Sequence, residues 1–120
     1  MKKPEIKYTL EIFPEEMEIR GNASAIDAET DERIACMIEK QLAEGNPWAW
    51  CCVKVTAECE GFTGTDCLGG CSYASQAEFC DNDGYYNDMK EQALEDLRAK
   101  LNHAAERGSR AAEILHALNA

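Results

Sequence analysis

Cys59, Cys67, Cys71 and Cys80 lie within 22 residues of one another, and four thiolates brought together can hold one zinc ion tetrahedrally. Zinc modules usually pair their ligands two to four positions apart, twice over. Only Cys67 and Cys71 have that spacing here, and Cys59 falls among apolar alternating positions. Free cysteine behaves more often as a small buried hydrophobe. A metal set on Cys59, Cys67, Cys71 and Cys80 is therefore the weaker reading, and no metal and no cofactor is expected.

A cysteine nucleophile needs an imidazole beside it. The two histidines, His103 and His116, both lie far along the chain from Cys71, on segments with helical patterning. The acidic run "DNDGYYND" has Gly84 in fourth place after Asp81 and Gln92 in twelfth. An EF-hand loop wants glycine sixth and glutamate twelfth, so helix capping by Asp83 or a neighbour accounts for the acids better. "CLGGCS" lacks the lysine ending of a phosphate-binding loop, and no G-x-S-x-G, H-E-x-x-H or dinucleotide fingerprint occurs. The chain is expected not to be an enzyme.

What remains is charge. Twenty-three acids against twelve bases give a net charge of −11, which repels phosphate backbones and anionic lipid headgroups and attracts basic protein surfaces. Direct nucleic-acid and membrane partners are disfavoured on this ground, and neither is expected. The acids gather in the first third (Glu15, Glu16, Glu18, Glu29, Asp31, Glu32) and along a later helix (Asp88, Glu91, Glu95, Asp96). A solvated face is the plain reading of both groups; docking onto the arginines and lysines of a partner is the sharper one.

These groups must be positioned by secondary structure. "EIKYTLEIF" alternates Ile6, Tyr8, Leu10 and Ile12 with polar residues, which predicts a strand ended by Pro14, and "MEIRGN" continues the alternation with Met17 and Ile19. Ile34, Ile38 and Leu42, widened by Ala35 and Met37, predict a helix over 30–44 with Gly45 and Pro47 as its stop. "WAWCCVKVTAEC" alternates again. Ala49, Cys51, Val53, Val55, Ala57 and Cys59 form the core face, and Trp48, Trp50, Cys52, Lys54, Thr56 and Glu58 the face left open. The competing reading is that Pro47 delays the strand and lets Trp48 cover the core edge, or that the last helix covers both rings.

Glu60 and Gly61 predict a hairpin turn into a shorter strand, where Gly64, Gly69 and Gly70 mark a bulge or a close backbone approach. After a loop with one helical turn, Met89, Ala93, Leu94, Leu97 and Leu101 predict a long helix capped by Gly108, and Ile114, Leu115 and Leu118 a short one from Ser109. The expected fold class is α+β: one domain over 1–120, with a small antiparallel sheet of three to four strands, helices on one face, and β-α-β-β-α-α order. The last segment, 109–120, is a short helix whose apolar side can pack back on that domain.

The runs "GNA", "WAW", "LGGCSY" and "GYYNDM", spread over about residues 21–97, resemble a family of small proteins encoded by phages and prophages. The resemblance implies a setting, a phage product at work in the bacterial cytoplasm, and no catalytic residue. Small acidic phage proteins are often inhibitors of host defence, anti-CRISPR and anti-restriction proteins among them. Seven cysteines and an amino terminus without an apolar stretch of signal-peptide length agree with a reducing cytoplasm. The leading expectation is a non-enzymatic inhibitor or adaptor that binds a host protein or complex through Trp48, Trp50, Lys54, Glu58, Glu91, Glu95 and Asp96. The alternatives are a homodimer that buries the aromatic face against its mate, and the zinc-stabilised module.

Overall fold

A computed structural model describes residues 3–81, 84–106 and 109–120. The fold class is α+β, with a three-stranded antiparallel sheet and four α-helices among the described residues. The elements are β1 (Lys7–Pro14), α1 (Ala28–Ala43), β2 (Cys51–Cys59), β3 (Phe62–Cys71), α2 (Gln76–Asp81), α3 (Tyr85–Ala105) and α4 (Ser109–Asn119), with a single 3-10 turn at Pro47–Ala49. The strands lie in the order β1-β2-β3. The predicted capping roles of Asp83 and Gly108 lie outside the described residues.

The residues group into two compact units, and each strand contributes to both. The first comprises Met1–Leu10, Lys54–Cys67 and Tyr86–Ala120. Here the hairpin turns on Glu60 (φ 52°) and Gly61 (φ 87°). Two successive left-handed residues match the right-handed twist of the flanking strands. Met89, Ala93, Leu97 and Leu101 recur every fourth position of α3 and are all buried; Ala111, Ile114, Ala117 and Leu118 of α4 are buried too. Leu97, Leu101 and Ile114 are wholly inaccessible, and each contributes about 1.5–3 kcal/mol on leaving water.

Gly64 shows why β3 carries a glycine at this point. A Cβ there would stand 2.2 Å from the backbone nitrogen of Leu97 and 2.3 Å from the carbonyl oxygen of Ala93, so only hydrogen fits between the strand and α3. The neighbouring Thr65 donates its amide to the Asp96 carboxylate at 2.9 Å. Asp96 also meets Lys100 at 3.0 Å, and Arg110 meets Glu60 at 2.8 Å.

The second unit comprises Glu11–Val53 and Leu68–Tyr85. Its α1 starts at an Asp27 cap whose side chain accepts from the Thr30 amide at 2.6 Å. It ends where Gly45 takes φ 94°, the usual left-handed exit. Ala35 and Ile38 are buried on α1, but Met37, predicted to widen the stripe, is exposed: at one position before Ile38 it sits about 100° round the helix from it. The predicted extension of the first strand over 17–22 is a turn instead, closed by the Asn22 amide on the Ile19 carbonyl at 3.0 Å. β3, predicted short, runs 10 residues. It passes Gly70 at φ 63°, the conformation of a bulge glycine.

Candidate binding surface

The two tryptophans overturn the expectation of an open aromatic face. Asn46 accepts from the Trp48 amide at 3.1 Å, and Pro47 opens the 3-10 turn. With about three residues per turn, that segment does not follow the strand's period of two, and β2 starts only at Cys51. Trp48, Ala49 and Trp50 are all buried, Trp48 at 8% exposure and Trp50 at 6%. The Trp48 ring packs on Phe79 at 5.5 Å and edge-on to Tyr73 at 6.4 Å, and the Tyr73 and Phe79 rings meet at 5.0 Å. Trp50 packs with Ile38 and Ala49, flanked by Ile19, Ala23 and Ile34. Its indole nitrogen donates to the Met17 carbonyl at 2.8 Å. Neither ring stands open on a sheet face.

Of the other predicted contact residues, Glu58, Glu91 and Glu95 are exposed and Lys54 is half-buried. Asp96 is drawn inward: the Thr65 amide, then Lys100, hold its carboxyl below the usual range. It fastens α3 to β3 rather than standing free.

No three His, Cys, Asp or Glu among the described residues could hold an ion together. Cys59 and Cys71 are buried, Cys67 is exposed and Cys80 half-buried. Burial, with Cys71 next in effect, pushes the Cys51 thiol up to about 12, and burial followed by Cys52 pushes Cys71 up to about 11. The Cys71 thiol donates to the Leu68 carbonyl at 3.3 Å. A group so placed stays protonated, which is the reverse of an activated nucleophile. His103 and His116 are exposed, and the cleft beside Cys71, lined by Tyr73, Glu78 and Tyr85 among others, holds no imidazole.

Sequence reasoning missed the polar clamps of the second unit. Asp31, read as part of a solvated face, is 8% exposed. Its carboxylate accepts from the backbone amides of Gly21 (2.7 Å), Ala23 (2.9 Å) and Ser24 (3.0 Å); the Gly21 bond, then that of Ser24, holds its pKa below the ordinary value. Glu15 accepts from the Gly70 amide at 2.7 Å. Arg20 donates to Glu32 at 2.8 Å and to Glu39 at 2.9 Å, and these bonds, Glu39 first, raise its pKa. Only Gly21 and Asn22 hinted that the chain turns here, and nothing periodic marked the acids as internal.

Those clamps hold a segment that presents apolar surface. Phe13, Met17 and Leu42 are 45%, 42% and 36% exposed. A cleft of about 450 Å³ is lined by Pro14, Met17, Ile19, Leu42 and Trp50 together with Glu15, Glu18, Arg20 and Glu39. A smaller hollow of about 150 Å³ shares Pro14, Leu42 and Trp50 with it and adds Ile12, Phe13 and Pro47. No helix among the described residues is long and apolar enough to cross a membrane. No family model, curated protein or solved structure matches the chain.

Proposed function

We propose that the chain is a non-enzymatic inhibitor or adaptor of phage origin, which acts in the bacterial cytoplasm by binding a basic surface of a host protein, CRISPR and restriction complexes being the class of target. The observation that carries the reading is the exposed acid of the first unit: Glu58 on β2 with Glu91 and Glu95 one turn apart on α3, in a chain of net charge −11. Exposed carboxylates in a chain of this net charge steer a cationic partner toward it and turn nucleic acid and anionic membranes away. The likeness of "WAW", "LGGCSY" and "GYYNDM" to phage and prophage proteins supports the setting. The buried, protonated state of Cys51 and Cys71 supports a role without covalent chemistry.

The test is affinity capture from bacterial lysate with the wild-type chain and with a Glu58→Gln, Glu91→Gln, Glu95→Gln variant. Capture of a CRISPR or restriction complex by the wild type, lost in the variant and weakened by salt, is the expected result. Equal capture by both proteins would remove these carboxylates from the reading.

A further inference from the structure

We infer that the cleft beside Trp50 is a docking groove for an amphipathic, lysine- or arginine-bearing segment of a partner protein. The inference rests on the reading above, that the chain works by binding protein, and gives that partner a second, apolar point of attachment.

Three observations converge on the groove. Phe13, Met17 and Leu42 are among the few large hydrophobic side chains left exposed among the described residues; Met17 lines the larger cleft, Phe13 the smaller and Leu42 both, and the two clefts share Pro14, Leu42 and Trp50. Gathered apolar groups of this kind, rimmed by charge, mark a contact surface rather than scattered exposure. The walls are also held in place. The Met17 carbonyl is fixed by the Trp50 indole at 2.8 Å, and the Glu15 carboxylate by the Gly70 amide at 2.7 Å, so a ligand meets a segment already ordered. The third observation is the rim, where Glu15, Glu18 and Glu39 stand against Arg20 alone, and Arg20 is already bonded to Glu32 and Glu39.

That rim chooses the occupant. Three carboxylates against one guanidinium that is itself engaged leave a net negative border, which favours apolar residues interleaved with cations. A second copy of the chain would bring the same acids to the contact, and like charges across an interface oppose association. A helix with leucines at i, i+3, i+4 and i+7 and lysines between them has the right pattern for an apolar floor with an acidic edge.

The probe is a fluorescein-labelled 18-residue helical peptide of leucine and lysine, titrated into the full-length chain by fluorescence anisotropy. A leucine and glutamate peptide of equal length serves as the counterpart. Binding of the lysine peptide and rejection of the glutamate peptide are expected, with a loss of tenfold or more in Met17→Asp/Leu42→Asp. A Glu5→Gln/Glu113→Gln variant, which removes two exposed charges elsewhere, should stay within twofold. Both Met17 and Leu42 are exposed, so the double variant should fold; Phe13→Ser supplies an independent lesion if it does not.

Equal affinity of wild type and groove variants, or equal binding of both peptides, would overturn the proposal. So would light scattering that shows a wild-type dimer broken by Met17→Asp, since the groove would then belong to a second copy. Host capture lost in the triple-glutamine variant while the groove variants bind peptide normally would sink the groove alone; the converse pattern would sink only the acidic face.

Discussion

The unit built on α3 and the unit built on α1 hold themselves together by different means. Around α3 the work is done by apolar groups at regular spacing: Met89, Ala93, Leu97 and Leu101 form one buried line, and Gly64 lets the strand come within van der Waals reach of it. Around α1 the apolar contacts are not one stripe but two local clusters, Trp48 with Tyr73 and Phe79 and Trp50 with Ile38 and Ala49, and the chain between them is held by single polar bonds to its backbone: Asp31 to three amides, Glu15 to Gly70, Trp50 to the Met17 carbonyl. The difference has a functional side. A unit closed by an apolar stripe hides its hydrophobic groups, whereas one closed by polar clamps can hold its shape and still leave Phe13, Met17 and Leu42 in water.

The largest effect belongs to the tightest contact. Gly64→Val is expected to destabilise the protein by about 3 kcal/mol in urea unfolding, because the added Cβ meets backbone atoms of α3 that cannot rotate aside. At Gly70, by contrast, the nearest atom to an added Cβ is the Met17 terminal methyl at 2.9 Å, which can move. Gly70→Ala should therefore cost only the strain of a left-handed alanine, about 1–2 kcal/mol. Equal losses at the two glycines would break the comparison.

In the polar unit the corresponding lesion is Trp50→Phe. It keeps a ring in the pocket with Ile38 and Ala49 and removes the bond to the Met17 carbonyl. A loss of about 1–3 kcal/mol is expected from the carbonyl left without its donor. A loss well under that range would mean that the indole bond contributes little to holding the chain at Met17.

Asp31→Asn should cost less than the tryptophan change, and its cost should depend on pH. The backbone bonds of Gly21 and Ser24 lower the carboxyl pKa in the folded state. The ionised group therefore stabilises the fold above the ordinary aspartate value of about 3.9, and that contribution disappears as pH falls through the lower folded value. Asparagine cannot take part, so the gap in melting temperature between wild type and variant should be widest near neutrality and close as pH is lowered below about 4. A gap independent of pH would show that Asp31 acts by shape and not by charge.

The same contrast explains how far the sequence could be read. The line of buried residues on α3, the turn at Glu60 and Gly61, and the inward set Cys51, Val53, Val55, Ala57 and Cys59 on β2 are all periodic or local signals, and the α+β class follows from them. Gly64 was legible as a close approach, although its neighbour was not. Trp48 and Trp50 admit two readings in the sequence, and the structure takes the one in which Pro47 delays the strand, because one proline-led 3-10 turn breaks a period of two without any change of residue type. Asp31 and Glu15 were read as solvated acids, since a carboxylate that bonds a backbone amide 10 or 55 positions away has no periodicity to betray it. The groove shared that invisibility: Met17 looked like an inward strand residue until the turn over 17–22 put it outside.

The smallest expected effect is the most diagnostic for function. Glu91 and Glu95 are exposed on α3, off its buried line of Met89, Ala93, Leu97 and Leu101. Their joint change to glutamine should therefore alter stability by less than about 0.5 kcal/mol. If the acidic face is a docking surface, the same change should slow association with a basic partner and flatten its salt dependence, because charges at an interface rim act chiefly on the on-rate. Stopped-flow association at low and at physiological ionic strength measures both quantities on one pair of proteins. An unchanged on-rate in a variant of unchanged stability would reduce these acids to a solvated helix face and leave the apolar groove as the contact.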